Sequence, residues 1–329
     1  MSRRKRGSPV SGWINLDKPW GMTSTQAVSK VRRLLDAQKA GHAGTLDPLA
    51  TGILPIALGE ATKTVPFLVD ADKAYRFTIE WGRSTATCDA EGETIAQSDV
   101  RPSPEAAAEA LGAFVGEILQ TPPAFSAVKI DGERAYDLAR RGVELELEPR
   151  PVTIHTARVA EVPGPDHLEL EITCGKGTYV RALARDLAAA LGACGHVSQL
   201  RRTRVGRFAE SDSISVEKLE EFCHRGAGLE ALLPVETALD DIPALAMTQE
   251  DAFRLSQGRA VVLLPRQVET LQARLMSLKI GDKDASRTVL ATDQGRALAL
   301  CEMRAGRLQP VRLFHLQGEP DVDHGRTQG

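Results

Sequence analysis

The chain has 329 residues, 42% of them hydrophobic and 26% charged, with a formal net charge of −3. Such a composition fits a globular protein with one large and one small domain, and no apolar run approaches the roughly 18 residues of a membrane span. Five scattered cysteines without a Cys-x-x-Cys pair, and seven histidines without ligand spacing, speak against a disulfide framework and a zinc site; they predict no metal and a reducing, cytoplasmic setting.

Charge is distributed unevenly. Residues 1–50 hold nine Lys/Arg against three Asp/Glu, and 198–208 hold Arg201, Arg202, Arg204 and Arg207 with no acid. Residues 209–241 reverse the balance, with nine acids against two bases. A polyanion senses a local face within a Debye length of about 8–10 Å, so a net-acidic chain can still offer it a basic surface.

Residues 1–10 begin with Arg3, Arg4, Lys5 and Arg6 and lack an apolar stretch, which predicts a disordered basic arm and not a secretory signal. A short strand, Trp13 to Leu16, leads to a turn at Lys18-Pro19-Trp20-Gly21. Thr23 with Gln26 forms a capping box for a helix whose apolar face is Ala27, Val28, Val31, Leu34 and Leu35. Lys18 reads as solvated or as a phosphate contact.

The chain then enters Gly41-His42-Ala43-Gly44-Thr45-Leu46-Asp47-Pro48-Leu49-Ala50-Thr51-Gly52. Three glycines permit tight turns, and Pro48 keeps Asp47 off the helical region. Taken locally, Asp47 is an Asp-Pro surface turn. The apolar run Ile53 to Gly59 predicts a buried strand or loop, and Glu60 to Val69 a short helix broken or kinked at Pro66. Residues 73–81 alternate, with Tyr75, Phe77, Ile79 and Trp81 on one face, as a strand requires.

A loop or hairpin covers Ser84 to Gln97. Ser103 and Pro104 start a helix with Leu111, Phe114, Val115 and Ile118 on its apolar face. A proline-broken connection, a short basic helix at 132–141 and strands near 151–162 and 167–174 follow. Gly175-Lys176-Gly177-Thr178-Tyr179-Val180-Arg181 closes the last strand and opens a helix, a junction suited to anions. There Arg181 reads locally as a partner for Asp186 or water. His196 to Phe208 is a basic strand returning to the sheet. Without regular βαβ alternation, the class is α+β. A helix near 216–223 and a composition shift at 240–246 precede one helix (249–257), strands at 288–292, 297–303 and 309–315, and a polar tail.

Taken together, these motifs resemble the bacterial tRNA pseudouridine-55 synthase family, TruB. The resemblance rests on Leu16-Asp17-Lys18-Pro19, Gly21, Thr23-Ser24, the stretch 41–52, Gly59-Glu60-Ala61-Thr62-Lys63 and Asp72-Lys73-Ala74-Tyr75-Arg76. Thr121-Pro122-Pro123, Phe125-Ser126-Ala127, Gly177 to Arg181, His196-Val197 and Leu200-Arg201-Arg202 extend it over residues 11–208.

The resemblance implies a pseudouridine synthase fold, with a mixed, mainly antiparallel sheet flanked by helices, over 11–244. A small β-rich PUA-like RNA-binding domain at 245–316 would carry an insertion near 259–286, and 317–329 would be a disordered tail. It implies isomerisation of uridine-55 in the T arm of tRNA: the C1′–N1 bond breaks, uracil turns, and C5 reattaches. Asp47 would be the nucleophile at the sugar, or would remove the C2′ proton. Arg181 would pair with it, offsetting the upward push of burial on a carboxyl. His42 would fill the space of the flipped base, and Tyr75 would stack on the uracil and help remove the C5 proton. Tyr179 and Leu200 would line the pocket, with Lys18, Lys63, Arg201 and Arg202 as phosphate contacts. No cofactor, no guide RNA, no membrane and a monomer complete the expectation.

Overall fold

The computed structural model describes residues 7–126, 128–130, 132–143, 145–276 and 287–316. A ten-stranded sheet organises the larger part. Its main path runs Ile214–Ser215, Gly12–Lys18, Ala50–Leu58, Gly195–Val205, Lys73–Trp81, His167–Cys174, Arg150–Gly164 and Gly116–Gln120. Ala40–His42 pairs beside Ala50–Leu58, and Phe208–Ala209 folds back on Gly195–Val205. Two of its described pairings are parallel, Gly12–Lys18 with Ile214–Ser215 and Ala50–Leu58 with Gly195–Val205; the rest are antiparallel. The mixed, mainly antiparallel sheet and the α+β class are as expected.

The alternating strand Lys73–Trp81 turns Phe77, Ile79 and Trp81 into a cluster with Leu168, Leu170 and Ile172 of its neighbour. Helix Val180–Ala190 closes that cluster with Val180, Leu183, Ala184 and Leu187. Helix Ser24–Leu34 begins at the capping box of Thr23 and Gln26, and its Ala27 and Val31 cover Ile14, Leu54 and Ile56. At about 25 cal/mol per Å² of apolar surface removed from water, such clusters supply the main stabilising term.

Three local expectations change. The helix begun by Ser103 ends at Leu111, and after a 3₁₀ turn the chain becomes the strand Gly116–Gln120. Gly116 turns the backbone at φ +104°, so Ile118 lies on a strand and Val115 is exposed. The segment after Gly59 divides into a 3₁₀ turn, Gly59–Lys63, and the helix Val65–Asp70, with Pro66 in the first helical turn where its missing N–H costs nothing. At the amino terminus, Gly7 and Ser8 of the expected basic arm are bonded to the body of the protein. Ser8 donates its N–H to Asp36 O at 2.6 Å, and Gln38 Nε2 donates to Gly7 O at 2.9 Å. Residues 1–6 and the tail 317–329 lie outside the described residues.

A five-stranded sheet, ordered Ala244–Ala246, Thr288–Asp293, Arg296–Arg304, Arg307–Leu313 and Val261–Val262, forms the smaller part. Helices Gln249–Ser256 and Pro265–Met276 bury Leu255, Leu271 and Leu275 against it. Much of the expected insertion is therefore built into this core; residues 277–286 lie outside the description. The two parts share an apolar cluster in which Leu290, Leu300 and Phe314 meet Trp13, Val235 and Leu239. No described helix is long and apolar enough to cross a membrane.

Candidate active site

Asp47 stands on a loop between Ala40–His42 and Ala50–Leu58, and the loop is held on several sides. Ser24 Oγ, buried, accepts the Leu46 N–H and donates to the Leu46 carbonyl, both at 2.9 Å. Ala43 N–H reaches Pro55 O at 3.0 Å, Ala50 N–H reaches Asp47 O at 3.1 Å, and Gly21 N–H reaches Pro48 O at 2.9 Å. Gly52 is bent to φ +98°, and a Cβ built there would stand 2.2 Å from the Arg202 carbonyl. Only glycine allows that approach of strands at this φ. Gly52→Ala is expected to lower stability by at least about 2 kcal/mol, through strain and overpacking; an unchanged urea midpoint would refute the role given to this contact.

Arg181 reaches the loop from the first turn of helix Val180–Ala190, 2.9 Å from Nη2 to Asp47 Oδ2. The arginine side chain is only 8% exposed, whereas the Asp47 side chain is 44% exposed. The carboxylate is thus anchored from beneath and open in front. Arg181 also donates to Thr87 O at 2.9 Å and Phe125 O at 3.0 Å, and lies 3.5 Å from Asp89 Oδ2. Its local alternative, Asp186, is taken by Arg185 at 2.8 Å. Tyr179, the residue before this helix, is clamped through its backbone: its N–H donates to Gln120 Oε1 at 2.8 Å and its carbonyl accepts from Gln120 Nε2 at 3.2 Å. Gln120 is buried.

Arg202 lies under the loop. It is 1% exposed and donates from Nε to Ile53 O (2.8 Å), from Nη1 to Thr45 O (3.4 Å) and from Nη2 to Gly44 O (3.1 Å). Tyr75 is its cross-strand neighbour. Burial pushes the Tyr75 phenol up, and the Arg202 charge opposes the push. Lys18, fully buried, spends its ammonium on Met22 O (2.8 Å), Pro19 O (3.0 Å) and Pro48 O (3.3 Å). Burial pulls it down to about 8, with the Asp47 charge working the other way. His42 is half-buried and drawn down by burial and by Arg202, which keeps its imidazole neutral at pH 7. Leu200 pairs with Ala50 and with Phe77, between the two apolar clusters that flank the site.

The four expected phosphate ligands have partners within the protein. Lys18 and Arg202 end on backbone carbonyls inside the protein, where a buried cation needs partners, and are supports of the Asp47 loop. Arg201 pairs with Asp17 at 2.9 Å and with Glu210. Lys63 bonds Glu60 at 2.6 Å and Leu313 O at 2.7 Å, tying the smaller sheet to the larger part. Sequence reasoning also missed Thr87, Asp89 and Gln120. Residues 84–97 carry no motif; their place is fixed by the Asp89↔Val197 bridge and by Val197 N–H bonding Cys88 O at 3.1 Å.

Fold and site together define a pseudouridine synthase: a mixed sheet with one carboxylate on a glycine-rich loop, an arginine behind it and a tyrosine on another strand of the same sheet. The chain belongs to the TruB family. Residues 32–180 match the TruB family pseudouridylate synthase N-terminal domain, and 181–240 match the tRNA pseudouridylate synthase B C-terminal domain. It is 68% identical over 316 residues to a tRNA pseudouridine synthase B of Caulobacter sp. (strain K31), covering 96% of this chain and 100% of that one. The corresponding protein of Bradyrhizobium diazoefficiens (strain JCM 10833 / BCRC 13528 / IAM 13628 / NBRC 14792 / USDA 110) is 53% identical, covering 96% of this chain and 89% of its own. Among solved structures, the crystal structure of a Cbf5-Nop10-Gar1 complex superposes with TM-score 0.68 at 26% identity, covering 92% of this chain and 85% of that one.

Proposed function

We propose that the protein isomerises uridine-55 of tRNA to pseudouridine, acting on the T arm alone, without a guide RNA and as a cytoplasmic monomer. The observation that carries the chemical assignment is the 2.9 Å contact between Asp47 and a buried Arg181, with the carboxylate left open to an incoming sugar. Asp47 attacks C1′ of the flipped nucleotide, or removes the C2′ proton; either way the C1′–N1 bond breaks. Uracil turns, C5 bonds C1′, N1 gains a proton and C5 loses one. Tyr75 stacks on the base, Tyr179 and Leu200 line its pocket, and neutral His42 fills the vacated stack, where base–aromatic contact is worth about 1–3 kcal/mol. The upward push on the Tyr75 phenol keeps it protonated at pH 7, which suits stacking and works against a role as base for the C5 proton. The reading of 245–316 as an RNA-binding module is supported by its compact β-rich core. The cytoplasmic setting is supported by five cysteines that are all free.

Purified protein, with no other RNA added, is expected to release tritium from a 5-tritiated T-arm stem-loop and to leave pseudouridine at the target position. Free uracil in the products would replace this reading by a nucleoside glycosidase. Turnover only after addition of a second RNA would overturn guide independence.

A further inference from the structure

Trp20 is 69% exposed, while the other two tryptophans, Trp13 and Trp81, are buried at 0% and 4%. A large aromatic left in water at a mobile tip would mean little, but this tip is fixed. The Lys18 ammonium bonds the carbonyls on both sides of Trp20, at Pro19 and Met22, and the next residue, Gly21, donates to Pro48 O at 2.9 Å. Pro48 follows Asp47 directly. The backbone that carries Trp20 is therefore held at the rim of the catalytic loop, which lowers the conformational cost of a contact there.

From Trp20 an open groove of about 690 Å³ runs along helix Ser24–Leu34, past Met22, Gln26 and Ser29 to Lys30 and Arg33. Its lining includes those two cations and no acid. Lys30 is shared with Glu220 at 2.5 Å, so exposed Arg33 is the cation presented at the far end. From Thr25 to Arg33 the helix rises about 12 Å. An aromatic platform followed by cations is the pattern that holds single-stranded nucleic acid, base on ring and phosphate on cation. The side chains of Trp20, Gln26, Ser29 and Arg33 have no part in the isomerisation described above.

We propose that Trp20 is a second stacking platform, taking an unpaired base of the bound tRNA other than the isomerised uridine, with the adjoining backbone led along the groove to Arg33. The assignment rests on the reading of tRNA as substrate. It favours RNA over a protein occupant because Gly21, the residue after the platform, is hydrogen-bonded to Pro48 beside Asp47, where the substrate must already lie.

The test uses the only exposed tryptophan as its own reporter. With the whole protein and unmodified tRNA, iodide quenching of tryptophan fluorescence is expected to fall when tRNA binds. In Trp20→Ala that iodide-sensitive fraction is absent. KM for tRNA should rise about tenfold in Trp20→Ala, within the range of one lost stacking contact, with kcat unchanged; Trp20→Phe should recover most of the loss. Trp20 that stays open to iodide in the complex, or a KM in Trp20→Ala within twofold of the parent, overturns the proposal. So does iodide protection that grows with protein concentration in the absence of RNA, which would make the occupant a second copy of the chain. Tritium release by the parent protein on the same tRNA separates the layers: if it turns over and Trp20 stays open, only the platform fails, whereas no turnover removes the substrate reading and the platform with it.

Discussion

Asp47→Asn is expected to bind the T-arm stem-loop within about twofold of the parent and to form no pseudouridine, a loss of at least about 10⁴-fold in turnover of the kind seen when a nucleophile is removed. The two effects separate because of how Arg181 is held. Besides Asp47 at 2.9 Å, its guanidinium is fixed by the carbonyls of Thr87 and Phe125 and lies 3.5 Å from Asp89. Replacing one carboxylate oxygen by an amide leaves those partners in place, so the arginine does not collapse into the pocket. The loop also keeps its shape, since Leu46 is pinned by Ser24 and Pro48 by Gly21 through contacts that do not involve the Asp47 side chain. Asparagine can occupy the site but supplies neither a nucleophile nor a base. Tritium release and a filter-binding titration on the same RNA measure both quantities; retained release would remove Asp47 from the chemistry, and lost binding would show the carboxylate to be a structural anchor.

Much of this geometry is readable from residue order because it depends on local rules. The capping box at Thr23, the alternation from Tyr75 to Trp81 and the glycine-rich setting of Asp47 each express a preference of a few neighbouring residues, and each is realised. The Asp47–Arg181 pair spans 134 positions and follows only from the family's motifs. What stayed hidden is whatever depends on burial by distant chain. Lys18 and Arg202 look like surface cations in a basic segment. The first is enclosed by carbonyls from as far as Pro48, and the second by carbonyls some 150 positions away. Asp89 reaches Arg181 only because a polar loop is bridged to Val197. The stretch Leu111 to Ile118 satisfies a helical period, yet Gly116 and the facing strand Arg150–Gly164 make its second half extended.

Arg202→Met should separate the support of the loop from its chemistry. The substitution leaves the carbonyls of Gly44, Thr45 and Ile53 without their guanidinium donor, at about 1–3 kcal/mol for each group left unpaired in the interior. Methionine fills the volume, and relief of the arginine's desolvation returns part of that cost. The net loss is expected on the order of 2–4 kcal/mol, well short of unfolding for a domain of ordinary stability. Activity should fall much further than stability, by about 10²-fold or more in kcat, because a displacement near 1 Å of a reacting group can cost that much. The displacement begins at the Asp47 loop, which loses the guanidinium that holds the carbonyls of Gly44, Thr45 and Ile53. Affinity for RNA should change little, since Arg202 is 1% exposed and touches no solvent-facing surface. Arg202→Lys is expected to fare almost as poorly, because one ammonium cannot reproduce the planar fork that serves three carbonyls at once. Single-turnover rates with saturating RNA, set beside urea midpoints and binding titrations, decide the matter. A variant that loses RNA affinity while keeping kcat would return Arg202 to the role of phosphate ligand, and one that loses stability and rate in equal measure would make it a general prop of the fold.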